Sequence, residues 1–327
     1  MAMSVSVRLC LLAFIWAALV SPLSASEPEA VPSAETSSAD APHTDTIPLD
    51  ADAHLRMMVD VSIEDRGPYS FIIDTGSERT VIAQEVAAQL ALSNGTPVEV
   101  HSLGNTVRAP TALIPRLSVN QLQVRRIQAP TFAQRHIGAA GILGIDALQS
   151  KNVLMDFKVK TITLTNSGDH LDEEWGGNVV VITAYKKMGQ LILTNAIIDG
   201  ESVDVILDTG GQVSMGNEAL RKRLSSHTKV DTWRRVSIVS VTGDTTIADY
   251  TTVNRLRIGG VSFLNLPLAF ADTHLFKILG FTTKPAMTLG MDALRKFDRV
   301  SVDFRTRKVR FNLPGPVEVD SPAPSLQ

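Results

Sequence analysis

Two copies of the tripeptide Asp-Thr-Gly are the residues of this chain best suited to chemistry. Each copy follows a run of β-branched and apolar residues, Phe71–Ile73 before Asp74 and Val205–Leu207 before Asp208. A strand run that stops at an acidic residue followed by Thr-Gly predicts a tight loop, where glycine lets other groups approach closely. Two such loops indicate two halves of one catalytic centre. Carboxylates brought face to face share one proton, so a single site holds both an acid and a base.

The sequence around the two tripeptides is repeated well beyond the loops. Residues 141–148 read Gly-Ile-Leu-Gly-Ile-Asp-Ala-Leu, and residues 288–294 read Thr-Leu-Gly-Met-Asp-Ala-Leu. Each is followed by an apolar run that ends in Asp-Phe, at Asp156 and at Asp303. The separation between copies grows from 134 residues at the Asp-Thr-Gly loops to 147 at the Asp-Phe pairs. This pattern predicts a duplicated unit with insertions in its second copy, and therefore two lobes.

Hairpins deliver both loops in the predicted secondary structure. Strands 55–63 and 69–73 flank residues 64–68 in the first copy, and strands 191–198 and 202–207 flank Asp199-Gly200 in the second. A short helix follows each loop, over residues 84–92 and, capped by Asn217, over residues 218–225. A further matched hairpin is predicted in each lobe, over residues 117–122 and 256–261.

A candidate flap follows each of the two helices, at residues 100–107 and 238–247. Gly104-Asn105 and Gly243-Asp244 are predicted as two-residue hairpin turns. His101 and Arg108 flank the first turn, and such hairpin residues are expected to be solvated. An ordinary hairpin of a β-meander is the alternative interpretation, above all for the second lobe.

These residues resemble the aspartic peptidases. The similarity lies in the apolar run, Asp-Thr-Gly followed by Ser77 or Gly211, and the later Leu-Gly of each copy. The compact lobes and the Leu-Gly-Ile/Met-Asp-Ala-Leu signature are more similar to the bacterial retropepsin-like branch than to pepsin. The resemblance covers about residues 50–313. It implies an all-β, bilobal acid-protease fold in one chain, with two retropepsin-like lobes related by pseudo-twofold symmetry. Gly211 departs from the Ser, Thr or Ala of many members.

The resemblance implies that Asp74 and Asp208 are the catalytic pair, which activates a water for attack on a peptide carbonyl without a covalent intermediate. Thr75 and Thr209 would hydrogen-bond across the lobes, and the hydroxyl of Ser77 would donate to Asp74. The residues expected to support the two loops are Thr75, Gly76, Ser77, Gly144, Thr209, Gly210, Gly211 and Gly290.

The implied substrate is an extended polypeptide, laid across the cleft as an added strand and covered by a flap. The flap residues named for this role are Gly104, Asn105, Gly243 and Asp244. The activity that the resemblance implies is that of an aspartic endopeptidase.

Composition and the N-terminus indicate a secreted globular protein. Of the 327 residues, 44% are hydrophobic, which is enough to fill two cores. The formal net charge of −3 does not indicate a polyanion-binding surface, so no nucleic acid partner is expected. Arg8, the apolar run 9–20 and small residues up to Ala25 predict a signal peptide over residues 1–25. An uncleaved signal anchor is the alternative. We expect a periplasmic monomer without a stable membrane anchor; its only cysteine, Cys10, lies in the signal segment.

The remaining chain divides into a disordered leader (26–47), an N-terminal lobe (48–165), a linker (166–177), a C-terminal lobe (178–313) and a disordered tail (314–327). Trp175 in the linker is expected to be a packing residue.

Other chemistries find little support. The seven histidines are scattered without the spacing of a metal site, so neither metal nor cofactor is expected. Asp146 and Asp292 form another matched pair, and we interpret each as the N-cap of a short helix. Two alternatives stay open. One is a catalytically silent peptide-binding or scaffold protein of the same fold, which only Gly211 favours. The other is a homodimer that pairs lobes across chains, which the duplication makes unnecessary.

Overall fold

The computed structural model describes residues 56–102, 106–119, 122–168, 175, 178–226 and 233–314, together with four short N-terminal strands. Strands make up 57% of the structure and helices 13%, so the all-β prediction is confirmed. The two halves form two lobes, which confirms the bilobal prediction.

A nine-stranded sheet forms the N-terminal lobe. In the order in which they pair, its strands are Phe14–Ile15, Asn94–His101, Thr106–Val119, Leu122–Phe132, Val81–Ala83, Gly141–Leu143, Arg66–Ile73, Met57–Ile63 and Asp50–Ala51. Most neighbours are antiparallel, but Gly141–Leu143 runs parallel to Phe71–Ile73. This parallel pair brings the Leu-Gly segment of the repeat beside the strand that leads into Asp74.

The C-terminal lobe repeats the same sheet with the same order of equivalent strands. They are Cys10–Leu11, Arg234–Ser240, Thr245–Ile258, Val261–Phe270, Met215–Gly216, Ala286–Leu289, Glu201–Leu207, Gln190–Ile198 and Tyr185–Lys187. Ala286–Leu289 runs parallel to Asp204–Leu207, as its counterpart does in the first lobe. The duplication read from the sequence is therefore also a duplication of topology.

A third sheet joins the lobes and takes strands from both halves of the chain. Its six strands are Val179–Thr183, Lys308–Asn312, Arg299–Asp303, Lys151–Asp156, Thr161–Asn166 and Asp45–Pro48. The central pair runs antiparallel, with Asn152 opposite Asp303 and Met155 opposite Val300. Asp45–Pro48 is an edge strand, so the segment expected to be disordered up to residue 47 ends in regular structure.

Six short helices complete the described part of the chain. They are Gln84–Gln89, Gln134–Ile137, Ile145–Leu148, Glu218–Ser225, His274–Ile278 and Met291–Leu294. The predicted cap of the fourth is confirmed, because the side-chain oxygen of Asn217 accepts a hydrogen bond from the backbone N–H of Leu220 at 2.9 Å. The first ends before the predicted Leu92, with Ala91 in the left-handed region. Within the described ranges, no helix is long and apolar enough to cross a membrane.

The predicted hairpins are present with small shifts of their turns. The first turn is Glu64-Asp65 rather than residues 64–68, because both residues take positive φ and Arg66 already begins the second strand. The matching hairpin of the second lobe turns at Asp199-Gly200, as predicted. Trp175 is only 5% exposed, and the side-chain amide of Asn312 donates to its carbonyl oxygen at 3.1 Å, so it packs as expected.

Candidate active site

The two Asp-Thr-Gly loops rest on the Leu-Gly segments of the repeat. The backbone N–H of Asp74 donates to the carbonyl of Leu143, and that of Asp208 donates to the carbonyl of Leu289, both at 3.1 Å. The glycine after each leucine is required by close packing: a Cβ on Gly144 would lie 2.4 Å from the carbonyl carbon of Arg79. A Cβ on Gly290 would lie 2.8 Å from the carbonyl carbon of Val213. Both glycines thus lie where the sequence placed them, beneath the loops.

Each aspartate is buried and held by backbone donors of its own loop. Asp74 is 2% exposed, and its Oδ1 accepts from the N–H groups of Gly76 at 2.7 Å and Ser77 at 3.0 Å. Asp208 is fully buried, and its Oδ1 accepts from Gly210 at 3.1 Å and Gly211 at 2.8 Å. The two loops therefore orient their carboxyls in the same way.

The carboxyl of one lobe touches the loop of the other. A Cβ on Gly210 would lie 2.3 Å from Cγ of Asp74, so this carboxyl packs directly against the backbone of the opposite loop. Only glycine leaves room for that approach. The structure thus brings Asp74 and Asp208 together at the lobe interface.

Thr75 and Thr209 join the loops through four hydrogen bonds. The N–H of Thr75 donates to Oγ1 of Thr209, and the N–H of Thr209 donates to Oγ1 of Thr75, both at 3.0 Å. Each hydroxyl then donates to a carbonyl in the other lobe, Thr209 to Ile73 at 3.0 Å and Thr75 to Leu207 at 3.1 Å. The threonines form the cross-lobe pair that the resemblance implied.

The electrostatics of the site favour one shared proton. Burial raises the pKa of the Asp74 carboxyl to about 7, against the opposing effect of its two backbone donors and of Arg56. Burial and the neighbouring Asp74 raise the pKa of the Asp208 carboxyl well above its usual range. Oδ2 of Asp208 is buried and has no hydrogen-bond partner among the described residues. Near neutral pH the pair can therefore hold one proton and one negative charge, which provides an acid and a base.

The expectation that the Ser77 hydroxyl donates to Asp74 is wrong. Its Oγ donates to the carbonyl of Arg79 at 2.7 Å, because that carbonyl lies within reach where the loop turns into the next strand. Ser77 supports Asp74 through its backbone N–H alone, as Gly211 does for Asp208. The difference between Ser77 and Gly211 therefore does not distinguish the two carboxyls by a side-chain donor.

The N-cap interpretation of Asp146 and Asp292 is also wrong. The caps are Gly144 and Gly290, and the aspartates lie inside the first turn. Oδ1 of Asp146 accepts from both the N–H and the hydroxyl of Thr80, at 2.9 and 2.8 Å.

Asp292 accepts equivalent bonds from Ser214, at 3.0 and 2.8 Å. These carboxylates therefore accept hydrogen bonds from another segment of the lobe, and they fasten each short helix to the segment that follows the Asp-Thr-Gly loop. Their pKa values are raised by burial.

The two predicted flaps are long hairpins. Strands Asn94–His101 and Thr106–Val119 form the N-lobe flap, and strands Arg234–Ser240 and Thr245–Ile258 form the C-lobe flap. Gly104 and Asn105 lie outside the described residues. The two-residue turn predicted at Gly243-Asp244 is wrong: four residues separate the strands, because hydroxyl contacts to Asp244 support a wider loop.

Both flaps make contacts across the cleft. The hydroxyl of Ser102 in the N-lobe flap donates to Oδ2 of Asp244 in the C-lobe flap at 3.1 Å. His101 stacks on His274 of the opposite lobe, with ring centroids 4.1 Å apart. His101 is only 9% exposed, so the expectation that it is solvated is wrong, whereas Arg108 is exposed as expected.

Two buried polar residues beside the loops were missed from the sequence. Arg56 is 2% exposed and donates from Nη1 to the carbonyl of Ile137 at 2.7 Å. Gln190 is fully buried and donates from Nε2 to the carbonyl of Gly76 at 2.9 Å, across the lobe interface. The sequence repeat could have identified these two positions, because each lies 18 residues before the aspartate of its loop.

Comparison with known families agrees with this arrangement. Residues 59–150 match the family model described as "gag-polyprotein putative aspartyl protease", and residues 194–293 match the model described as "Aspartyl protease". A search of curated proteins found no match. Within the described residues, no three histidine, cysteine, aspartate or glutamate side chains are grouped so as to hold a metal ion.

Proposed function

Because the chain is a retropepsin-like aspartyl protease with two lobes, we propose that it is an active endopeptidase whose catalytic pair is Asp74 and Asp208. The observation that carries this proposal is the matched geometry of two buried carboxyls, each held by two backbone N–H groups of its own loop. A protein that kept the fold only to bind peptides has no need to maintain both buried, partly charged groups, which are costly without a function.

Hydrolysis follows from one shared proton. A water held between the carboxyls loses a proton to the ionised one as its oxygen attacks the peptide carbonyl carbon. The protonated carboxyl transfers its proton to the carbonyl oxygen, which gives a neutral gem-diol. The C–N bond then breaks, the leaving nitrogen takes up a proton from the first carboxyl, and a gem-diol hydroxyl returns a proton to the second. The pair ends in its starting state.

The substrate in this proposal is an extended polypeptide that pairs with the flaps. Two N-terminal strands support it, because Phe14 pairs with His101 at the N-lobe flap and Cys10 pairs with Val239 at the C-lobe flap. Both flap edges can therefore accept a strand. Main-chain hydrogen bonds would provide affinity along such a peptide, and side-chain pockets would provide preference.

The test is cleavage of an unstructured polypeptide by the purified chain. Fragments are identified by mass spectrometry of their new termini, with and without pepstatin. We expect internal cleavage that Asp74→Asn or Asp208→Asn reduces by a factor of about a thousand or more, because one carboxyl cannot act as both acid and base.

A matched control separates chemistry from general charge loss. Asp60→Asn changes an exposed aspartate on strand Met57–Ile63, which precedes the hairpin turn at Glu64-Asp65, and this variant should keep full activity. Folded Asp74→Asn protein that retained a tenth of the wild-type rate would rule out the shared site.

We also propose export and a monomeric state. The N-terminal pattern of Arg8, an apolar run and small residues up to Ala25 supports export to the periplasm. Two lobes in one chain support a monomer, since both aspartates are already present. Sedimentation of the active protein, and N-terminal sequencing after expression in a bacterial host, test these two points.

A further inference from the structure

We propose that Arg56 is a positioning residue that keeps the negative charge of the pair on Asp74, which makes Asp74 the base and Asp208 the acid. This assignment rests on the hydrolytic function proposed above. It breaks the pseudo-twofold symmetry of the two loops at one position.

Strand register places Arg56 beside Asp74. Met58 pairs with Ile72 in the hairpin of the first lobe, and continuing that antiparallel register by two residues sets Arg56 opposite Asp74. In the second lobe Ile192 pairs with Ile206, and the same step sets Gln190 opposite Asp208. The two loops therefore have equivalent neighbours that differ in charge.

The guanidinium of Arg56 is fixed where it lies. It donates to the carbonyl of Ile137 at 2.7 Å, and a Cβ on Gly138 would lie 2.4 Å from Nη2, so the group packs closely against the Gly138 backbone. The whole residue is 2% exposed, which limits screening of its charge by water. Gln190 is neutral and bonds instead to the carbonyl of Gly76.

The charged groups around the pair act in one direction. Asp74 has the cation of Arg56 nearby, and this lowers the pKa of the Asp74 carboxyl. The repulsion between Asp74 and Asp208 is mutual and favours neither carboxyl, but Asp208 also has the Asp292 carboxylate nearby, which raises the pKa of the Asp208 carboxyl. Asp146 and its counterpart Asp292 each have a basic residue nearby, Arg79 and Lys296, so this outer pair matches in the two lobes. One negative charge on Asp74 then balances Arg56, while the proton resides on Asp208.

The roles in hydrolysis follow from this charge distribution. Asp74 takes the proton from the attacking water and later delivers it to the leaving nitrogen. Asp208 gives its proton to the carbonyl oxygen and recovers it when the gem-diol collapses. Each bond formed or broken is as in the scheme above, with the two carboxyls now assigned.

The first experiment is the dependence of kcat/KM on pH. We expect Arg56→Gln, which makes the two loops alike, to move the acidic limb toward higher pH by about one unit or more. Arg56→Lys keeps the charge and should move it by less than about half as much. The exposed Arg257→Gln is the control and should leave the limb in place. A purely structural role for Arg56 would lower activity at every pH without moving the limb, and Lys would not restore it.

The second experiment needs no turnover. The remaining carboxyl is titrated by carbon-13 NMR in Asp208→Asn and in Asp74→Asn proteins. We expect Asp74 to titrate at least about one unit below Asp208. Adding Arg56→Gln should raise the pKa of Asp74 and leave that of Asp208 nearly unchanged. An Asp208 that titrated at or below Asp74 would overturn the assignment. If the wild type cleaved no peptide, the endopeptidase proposal would fail while this titration still decided where the charge lies.

Discussion

The imidazole rings of His101 and His274 stack at 4.1 Å and an angle of 14°, and they connect the N-lobe flap to a helix of the opposite lobe. Nδ1 of His101 also lies 2.7 Å from the hydroxyl of Thr106, its partner across the hairpin. Burial lowers the pKa of both imidazoles, and for His274 the adjacent His101 lowers it further. Glu99 beside His101 acts in the opposite direction, whereas Lys277 adds to the effect at His274.

Acidification should loosen this contact. The closed flap disfavours protonation of the stacked histidines, so closure is fully stabilised above the ordinary histidine pKa of about 6.5 and weakens as pH falls through it. We expect amide exchange in the N-lobe flap, relative to global exchange, to rise roughly three- to tenfold between about pH 7.5 and about pH 5. His274→Phe keeps a ring but removes one titrating group. An unchanged pH effect in that variant would show that another group opens the flap.

The threonine pair should couple the two lobes energetically. Replacing Thr75 or Thr209 by valine keeps the shape but leaves a buried N–H without its acceptor, at a cost of about 1–3 kcal/mol in unfolding free energy. The double variant should show a coupling of roughly 1 kcal/mol or more, because the bonds are reciprocal. Serine at either position keeps the hydroxyl and serves as the control. Strict additivity in denaturant unfolding would contradict the coupling.

A single methyl group at residue 210 should disable the pair. The added Cβ would lie 2.3 Å from Cγ of Asp74, so the carboxyl or the loop must move. A displacement of about 1 Å can reduce turnover roughly a hundredfold, and we expect at least that loss in Gly210→Ala. Gly260→Ala is the matched control, since its Cβ would meet only Val180 at 3.5 Å. Equal kcat/KM in the two variants would be incompatible with the packing described.

A serine hydroxyl at the fourth position of an Asp-Thr-Gly loop should have little effect on the pKa values of the carboxyl pair. The Ser77 hydroxyl donates to the carbonyl of Arg79, so Ser77→Ala should leave both limbs of the pH profile of kcat/KM within about 0.3 unit of wild type. Gly211→Ser should lower kcat/KM by about tenfold or more, because its Cβ would lie 2.7 Å from Oδ2 of Asp208. A faster Gly211→Ser enzyme would show that the loop adapts.

Asparagine at residue 74 should stabilise the fold as pH rises. The folded pKa of Asp74, about 7, lies above its unfolded value of about 3.9, so the folded state binds more protons in this window. Wild-type stability from this group is complete below the unfolded value and is lost as pH rises toward the folded one. Asp74→Asn lacks this loss, and its advantage should grow by at most roughly 1.4 kcal/mol per unit between about pH 4 and 7. Denaturant unfolding of both proteins across this range measures it, and a constant difference would contradict the raised pKa.

The residues that could be placed from the sequence are those whose local pattern is repeated. Asp74 and Asp208 each end an apolar strand and precede Thr-Gly, and the duplication required their neighbours to match. The cap at Asn217 was readable for the same reason, since it depends on bonds within one turn.

Contacts between distant segments could not be read in this way. Nothing local distinguishes Asp146, bonded to Thr80 from another part of the lobe, from a helix cap. The stacking of His101 on His274 depends on how the lobes face each other, and Arg56 becomes significant only when the hairpin register sets it beside Asp74.

The sheet that joins the lobes has a consequence for synthesis of the chain. Strand Lys151–Asp156 pairs on one edge with the nearby Thr161–Asn166, but its other edge finds its partner only when Arg299–Asp303 has been made, nearly half the chain later. Until then the N-terminal lobe leaves the ribosome with one edge of this largely apolar strand unpaired, and such an open edge is a template for aggregation. Late closure of this sheet should therefore limit the folding rate, and a short supply of chaperones should reduce the yield of the protein more than its final stability would suggest.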